Sequence, residues 1–427
     1  MKSHPLATLL GLTTLLSILA GIVQYGWPAD FISARHDLIL LSGILLMVAM
    51  SFAMLLAARP LWLERASGGL DKLYALHKHT GITAAGLLAA HWLIKLSPPL
   101  AIALHWMDGM QKRGPHHHGF SLTGLASGVG QWAAWLVLGM VVLALLRAVP
   151  YRFWRKLHTL FAPIYLMGVF HGVILMPVDL WLSPVGMLLA AMIVTGSLCA
   201  LWSMTRQIGK AHCYTGKIDR VTPLPGNQLE IVCQLGEQWP GHEAGQFARV
   251  TFDRREGAHP FTIASADRGT GELRFIIKAL GDHTRQLATS LRPGATVAVE
   301  GPYGCFVVPE TEKRQVWVAG GIGVTPFLAW LEARRHAHAP KPEVDFYYCV
   351  EHADQAAALE EIRHACSATG VRFHLFESRQ GQRLHAGLLQ QAEEVCFCGP
   401  AGLGHSLRTA LAKQGKARFH AEAFSMR

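Results

Sequence analysis

Six runs of about 20 mainly apolar residues, at 6–25, 37–57, 73–95, 131–149, 157–177 and 181–203, constrain this chain more than anything else in it. About 20 helical residues cross the hydrocarbon core of a bilayer, and inside lipid a chain must satisfy its own backbone hydrogen bonds. The first half is therefore expected to be a six-helix transmembrane bundle. The first run lacks a small-x-small cleavage site and is followed at once by further spans, so it is expected to stay as a span rather than leave as a signal peptide. After about residue 205 the long apolar runs stop and mixed charges begin. A membrane domain is thus expected in front of a soluble module of similar size.

Basic residues sort the loops. Arg59, Arg65 and Lys72 lie between the second and third runs, Arg147, Arg152, Arg155 and Lys156 between the fourth and fifth, and Arg206 and Lys210 after the sixth. The opposite loops hold Arg35, Lys95, Lys112 and Arg113. By the positive-inside rule, both termini and the soluble half are expected to be cytoplasmic. The formal net charge of +10 follows from these loops together with a site for a phosphorylated cofactor. No basic-aromatic surface motif accompanies it, so nucleic acid is not indicated as a partner. The eight cysteines include no C-x-x-C pair, which argues against a zinc site or a disulfide framework and for reduced cytosolic thiols.

Titratable side chains are costly in lipid, so histidines inside the runs ask for a role. The third run carries His77 and His91, fourteen positions apart, and the fifth carries His158 and His171, thirteen apart. Each separation is about 20 Å along a helix, which puts one histidine near each side of the membrane. Two such helices facing each other would form two stacked sites, His77 with His158 inside and His91 with His171 outside. Neutral imidazole is an axial ligand for haem iron, and the apolar edge of a haem suits a bundle core. Two haems are the preferred reading; four unrelated histidines, each hydrogen-bonded within the bundle, are the plainer one. Fourteen steps return a side chain to within about 40° of its starting face, whereas thirteen leave about 140° to absorb. Pro163 lies between His158 and His171 and removes a backbone hydrogen bond, so a kink or altered winding is expected there. His79 lies off the His77/His91 face and reads as a polar boundary contact. The 96–130 stretch reads as a polar outer loop, with His116, His117 and His118 in a solvated turn rather than a metal site.

The soluble half changes texture once. Residues 213–308 hold short β-branched stretches such as EIVCQLG, GQFARVTF, LRFIIKAL and TVAVEGP, which argue a small antiparallel barrel. From 314 the pattern becomes strand, Gly-rich turn, helix, in QVWVAGGIGVTPFLAWLEARR and after EVDFYYCV, VRFHLFES and EVCFCGP. That alternation implies a parallel sheet flanked by helices. The expected architecture is multidomain: a six-helix transmembrane bundle at 1–205, an antiparallel β-barrel at 211–310 and an α/β domain at 311–427. In the Gly-rich turn, Gly320, Gly321 and Gly323 let the backbone approach a pyrophosphate, and Thr325-Pro326 opens a helix.

AHPFTIAS at 258–265, IIKALGDHT at 276–284, GPYG at 301–304, AGGIGVTP at 319–326, CFCGP at 396–400 and the terminal FHAEAFSMR resemble, in this order and spacing, the ferredoxin-NADP reductase superfamily. With the histidine-bearing spans in front, residues 37–427 resemble the bacterial NADPH oxidase/ferric reductase family. The resemblance implies FAD, two b-type haems and NADPH or NADH, in a bacterial inner membrane. It implies that His259, Pro260, Phe261 and Thr262 line the flavin, with Thr262 near the isoalloxazine N5. It implies that Lys278 and the turn Gly281-Asp282-His283-Thr284 hold the FAD pyrophosphate, where a helix N-terminus presents its N–H groups. Gly320, Gly321, Gly323, Thr325 and Pro326 would take NAD(P)H, and Cys398, Gly399 and Pro400 would bring the nicotinamide to the flavin. Phe424 matches the C-terminal aromatic that stacks on the flavin, although Ser425, Met426 and Arg427 follow it here. Thr262, Cys398 and Phe424 are thus expected nearest the hydride chemistry.

Coenzyme choice carries two opposed signals. Glu351, after the second parallel strand, stands where an acid bonds a ribose diol and repels a 2′-phosphate. Arg379 and Arg383 would bind that phosphate; the family often has Gly-Arg here, and this chain has Gly381-Gln382-Arg383. NADPH is ranked ahead of NADH. The implied activity is electron transfer from cytosolic NAD(P)H through FAD and two haems to an acceptor outside. O₂, giving superoxide, is ranked first, with Lys95 a candidate cation near the outer haem. A ferric chelate is the alternative, as is a quinone or periplasmic redox protein. A membrane scaffold with a degenerate nucleotide fold does not account for the intact flavin and nicotinamide motifs.

Overall fold

Apolar helices occupy the first half of the chain and two sheets the second. The computed structural model describes residues 5–103, 121–146, 151–205, 207–253, 256–309, 311–336, 342–389, 392–414 and 417–422, without the side chains of 99–103, 151–152, 282–283 and 386. These residues form two units, Met1–Leu63 with Lys72–Ile208, and Glu64–Asp71 with Gly209–Arg427.

The helices in chain order are α1 (Pro5–Tyr25), α2 (Phe31–Ala58), α3 (Leu61–Ser67), α4 (Leu70–Ala103), α5 (Leu122–Leu145), α6 (Tyr151–His158), α7 (Phe161–Leu175), α8 (Val178–Trp181) and α9 (Pro184–Met204). Local chemistry sets their ends. The Asp30 carboxylate accepts from the Ser33 N–H at 2.8 Å and the Ser33 hydroxyl completes a capping box, which starts α2. Ser183 caps α9, with Pro184 at its first position. Among the described residues, α1, α2, α5, the stretch Phe153–Leu175 and α9 are long and apolar enough to cross a membrane. Six such runs are expected, and these are five of them. The sixth, α4, has 34 residues, but its histidines and lysines dilute its apolar character.

Two further expectations change. The loop expected over 96–130 is shorter, because α4 runs to Ala103 and α5 begins at Leu122. The Gly- and Ser-rich start of α5 reads as loop by composition, yet Ser121 caps it, its Oγ accepting from the Gly124 N–H at 3.2 Å. His116, His117 and His118 lie outside the described residues. The fifth run, expected over 157–177 with a kink or altered winding near Pro163, is divided between two helices, α6 and α7.

Within the first unit, α2 packs on two sides. Met47, Val48 and Met54 meet Tyr165 of α7 and Leu189 and Ile193 of α9. Leu46 and Ala49 meet Ala84 and Leu88 of α4 and Ala134 of α5. Small residues let the backbones approach, as is usual for helices in lipid. A methyl on Gly196 would collide with the Tyr165 hydroxyl and with Ser51, which hydrogen-bond each other at 2.8 Å.

The second unit holds two sheets. The first comprises β1 (Cys213–Leu224), β2 (Gln228–Gln234), β3 (Phe247–Thr251), β4 (His259–Thr262), β5 (Glu272–Lys278) and β6 (Thr296–Tyr303). All its pairs are antiparallel, in the order β4-β3-β6-β1-β2-β5. An isolated bridge between Ile263 and Phe275 brings the two outer strands together around a core that includes Ile218, Ile231, Val250, Phe275 and Val299. Helix α10 (Asp282–Ser290) follows β5. Glu64 also belongs to this unit; it is buried and accepts from the Gly304 N–H at 2.8 Å.

The second sheet is parallel, with β7 (Gln315–Gly320), β8 (Val344–Val350), β9 (Arg372–Glu377), β10 (Glu394–Cys398) and β11 (Arg418–Glu422) in the order β11-β10-β7-β8-β9. The connecting helices are α11 (Thr325–His336), α12 (Leu359–Thr369) and α13 (Ala401–Gln414). Every residue of β7 is buried, as befits a central strand covered on both faces. The chain runs from β7 outward to β9 and then returns to place β10 on the other side of β7. That reversal makes the C-terminal ends of β7 and β10 the crevice where ligands bind in such sheets.

Candidate functional site

Helix α4 carries His77 and His91 without a break. The His77 and His158 rings lie with centroids 6.0 Å apart and planes at 75°. His91 and His171 lie within electrostatic reach of each other. Three of the four rings are oriented from a neighbouring helix. His77 Nδ1 is 3.2 Å from the Ala53 carbonyl on α2, and His171 Nδ1 is 2.9 Å from the Ala126 carbonyl on α5. A carbonyl only accepts, so each Nδ1 donates and the lone pair of the neutral ring is at Nε2. His91 Nδ1 is 3.0 Å from Ser42 Oγ, whose own proton goes to the Ile39 carbonyl. The hydroxyl therefore accepts from His91 as well. Such bonds fix tautomer and ring direction in metal-ligating histidines. His158 instead packs against Trp154 and Phe161, at 5.4 and 4.9 Å between centroids. His79 is exposed and bonds the Ala75 carbonyl of its own helix at 2.7 Å.

This donor set suits haem. Two imidazoles bonded to one metal through Nε2 at about 2 Å place their centroids about 6 Å apart, which is the His77–His158 separation. Among the described residues, no group of three or more His, Cys, Asp or Glu could hold a metal ion. Two-ligand sites fit a metal that brings its own equatorial donors, as porphyrin iron does. The space beside the rings depends on glycine. A Cβ on Gly130 would run into the His171 ring, and one on Gly43 would lie 3.4 Å from His91 Cε1.

The winding change between His158 and His171 comes before Pro163 rather than at it. The Thr159 and Leu160 N–H groups bond the carbonyls three residues back, Lys156 and Leu157, at 3.3 and 2.9 Å. This tight turn separates α6 from α7. Pro163 then sits in the first turn of α7, where its missing N–H has no partner to lose.

In the parallel sheet, the turns after β7 and β10 pack backbone against backbone. A Cβ on Gly323 would collide with the Cys398 carbonyl, and one on Gly399 would lie 2.9 Å from Gly320 Cα. A Cβ on Gly320 would crowd the Pro400 ring. Gly320 and Gly323, expected to let a pyrophosphate approach, also let the neighbouring turn pack closely. Gly321 differs: its φ is +54° and nothing lies within 4 Å of where its Cβ would be. Thr325 and Pro326 are buried at the start of α11, with Thr325 Oγ1 donating to the Ile322 carbonyl at 3.2 Å. Burial, then the nearby Glu422 carboxylate, pushes the Cys398 thiol well above its ordinary pKa, so it stays a neutral thiol.

On the antiparallel sheet, β4 places Thr262 opposite Phe247 and Phe261 opposite Ala248. Thr262 is buried, and His259, Pro260 and Phe261 are half-buried. The Phe261 ring rests on Phe252, 6.0 Å away. Lys278 ends β5 opposite Gln228. Thr284, expected to touch the pyrophosphate, spends its hydroxyl on the turn. It accepts from the Leu280 and Gly281 N–H groups, both at 3.0 Å, and donates to the Gly281 carbonyl at 3.1 Å. Its role is to shape the start of α10. The side chains of Asp282 and His283, and all of Phe424, Ser425, Met426 and Arg427, lie outside the described residues.

Several contacts carried no sequence signal. Ala53 and Ala126 act through carbonyls, which any residue has, and Ser42 and Gly130 look like ordinary small residues of a membrane helix. Lys95 is engaged rather than open, donating from Nζ to Gln131 Oε1 at 3.0 Å. The opposed coenzyme signals are in direct contact, since Arg379 donates from Nε and Nη2 to Glu351 Oε1 at 2.9 and 2.7 Å. Arg383 is exposed.

One family match lies in each half of the chain. Residues 42–169 match the ferric reductase like transmembrane component, and residues 214–307 match an FAD-binding domain. The chain is 35% identical over 143 residues to a vanillate O-demethylase oxidoreductase from a Pseudomonas strain, covering 32% of this chain and 44% of that protein. It is 26% identical over 194 residues to the anthranilate 1,2-dioxygenase electron transfer component of Acinetobacter baylyi, covering 41% and 55%. It is 29% identical over 210 residues to the carnitine monooxygenase reductase subunit of Escherichia coli, covering 46% and 63%. The chain thus spans about half the length of the curated relatives it matches. The chain therefore carries, in order, a match to a ferric reductase like transmembrane component and a match to an FAD-binding domain.

Proposed function

We propose that this protein is an NAD(P)H oxidoreductase that carries electrons across a bacterial inner membrane, from coenzyme on the cytoplasmic side to an acceptor outside. The working division is a di-haem bundle at 1–205, an FAD domain at 211–310 and a coenzyme domain at 311–427. When bound, FAD exchanges two electrons for single ones, and two b-type haems carry single electrons. The chain's own part is placement. His77 with His158, and His91 with His171, would hold the two haem irons, three of these rings being aimed by hydrogen bonds from α2 and α5. Thr262 and the β4 strand line the flavin, and the first turn of α10, whose start Thr284 shapes, presents its N–H groups to the pyrophosphate. Gly321 gives the coenzyme phosphates room, and the buried Cys398 turn sets the depth of the nicotinamide. The positive loops put both termini in the cytoplasm.

The observation that carries this reading is the His77–His158 pair at 6.0 Å, with Nε2 of His77 left as a lone pair by its bond to Ala53. The acceptor is O₂ in the first reading and a ferric chelate in the second. The match to the ferric reductase like component, with Lys95 drawn to Gln131, favours the second. Haem content tests the ladder. The purified protein should hold two b-type haems per chain, and His91→Ala or His171→Ala should hold one while still reducing flavin with NAD(P)H. Unchanged haem content in both variants would remove these residues from the ligand set. Superoxide formation against ferric-chelate reduction then separates the acceptors.

A further inference from the structure

We propose that the chain takes NADH and NADPH alike, because one ion pair, Glu351 with Arg379, answers to both forms of the ribose. This rests on the NAD(P)H reading above. Strands β8 and β9 are parallel neighbours with Val350 opposite Glu377, so the residues after them emerge together at the C-terminal edge of the sheet. In sheets of this kind that edge receives the adenosine ribose.

The two loops are tied to each other. The Arg379 N–H donates to the Glu351 carbonyl at 3.1 Å, and the Ala353 N–H to Glu377 Oε2 at 2.7 Å. Gln382 closes the second loop, its N–H donating to the Glu377 carbonyl at 3.2 Å and its Oε1 accepting from the Glu377 N–H at 3.0 Å. Backbone and side chain together therefore hold the Arg379 guanidinium beside Glu351.

Donors and acceptors then decide what the pair can bind. Arg379 spends Nε and one Nη2 hydrogen on Glu351 Oε1. A guanidinium has five N–H donors, so three remain, two of them on Nη1. Among the described hydrogen bonds, Glu351 Oε2 takes none. An unpaired acid here would repel a 2′-phosphate; beside Arg379 its charge is offset, and the phosphate meets the remaining donors. A ribose diol meets Oε2 instead. The side chains of the pair are 60% and 57% exposed, and exposed ion pairs are worth little on their own. Either coenzyme can re-partner it at small cost.

The test is the coenzyme preference of the full-length protein in detergent, read as kcat/KM for reduction of ferricyanide by NADH and by NADPH. The wild type is expected to use both within about tenfold. Loss of one charge-assisted bond corresponds to about tenfold or more in affinity. Glu351→Gln should therefore move the NADPH:NADH ratio up by about tenfold, and Arg379→Gln should move it down by a similar factor. Flavin absorbance confirms that each variant is folded. A wild type that favours one coenzyme by more than about a hundredfold would overturn the proposal. So would a ratio that both variants move in the same direction, or that neither moves by twofold. If neither coenzyme reduces the flavin, the NAD(P)H reading itself fails, and this inference with it.

Discussion

Gly321 and Gly323 stand two positions apart in one turn, yet the chain needs glycine at each for a different reason. At Gly323 a methyl would strike the Cys398 carbonyl, which belongs to a packed neighbouring turn and has nowhere to go. At Gly321 the space is open, and only φ +54° resists a side chain, at about 1–2 kcal/mol. Gly323→Ala should therefore lower the melting temperature of the flavin module by several degrees. Gly321→Ala should lower melting by less, only as far as that backbone strain requires, leave flavin content unchanged and raise KM for both coenzymes several-fold. Equal melting losses in the two variants would show that the distinction is wrong. The motif marked this turn from sequence alone. What it did not convey is which glycine packs against protein and which faces open space, because that depends on β10, some 75 residues later in the chain. Thr284 teaches the same point. A threonine at a helix start reads as a ligand contact or a cap, and only its three hydrogen bonds decide for the cap.

At the scale of elements, the spacing of four histidines was enough to pair two helices, and the structure brings His77 to His158. The thirteen-residue spacing of His158 and His171 also implies a discontinuity between them, and Pro163 is its expected place. The chain instead makes its tight turn at Thr159–Leu160 and uses the proline to begin α7. Proline tolerance at a first helical turn makes that the cheaper solution. The devices that aim the rings were invisible beforehand, being two carbonyls, one hydroxyl and a gap at Gly130. Helix α5 approaches α7 through that gap, so Gly130→Ala should push His171 aside and lose the outer haem while the inner one stays. Haem stoichiometry with a resolved redox titration checks this. Two haems with wild-type midpoints in Gly130→Ala would mean that α5 does not shape the outer site.

At the scale of the molecule, the two halves were plain from hydropathy alone, since runs near 20 residues and alternating short strands have few other solutions. The boundary between antiparallel and parallel sheets followed from β-branched texture giving way to strand–turn–helix repeats. Composition misjudged the places where function dilutes it. Helix α4 is the least apolar of the long helices because it carries the histidines, and the Gly- and Ser-rich start of α5 passed for loop because close packing needs small residues. The segment Glu64–Asp71 lies between two apolar runs in sequence but belongs to the second unit, where Glu64 is buried, a contact that no local pattern announces.

The central claim is that one chain holds a continuous route from NAD(P)H to haem. The most direct measurement mixes the purified, full-length protein with NADH or NADPH under strictly anaerobic conditions and follows the haem absorbance bands. The account predicts that the flavin bleaches and that both haems become reduced in the wild type, with only the inner haem reduced in His171→Ala. A protein that carries both haems and bleaches its flavin, but leaves the haems oxidised for many minutes, would contradict it.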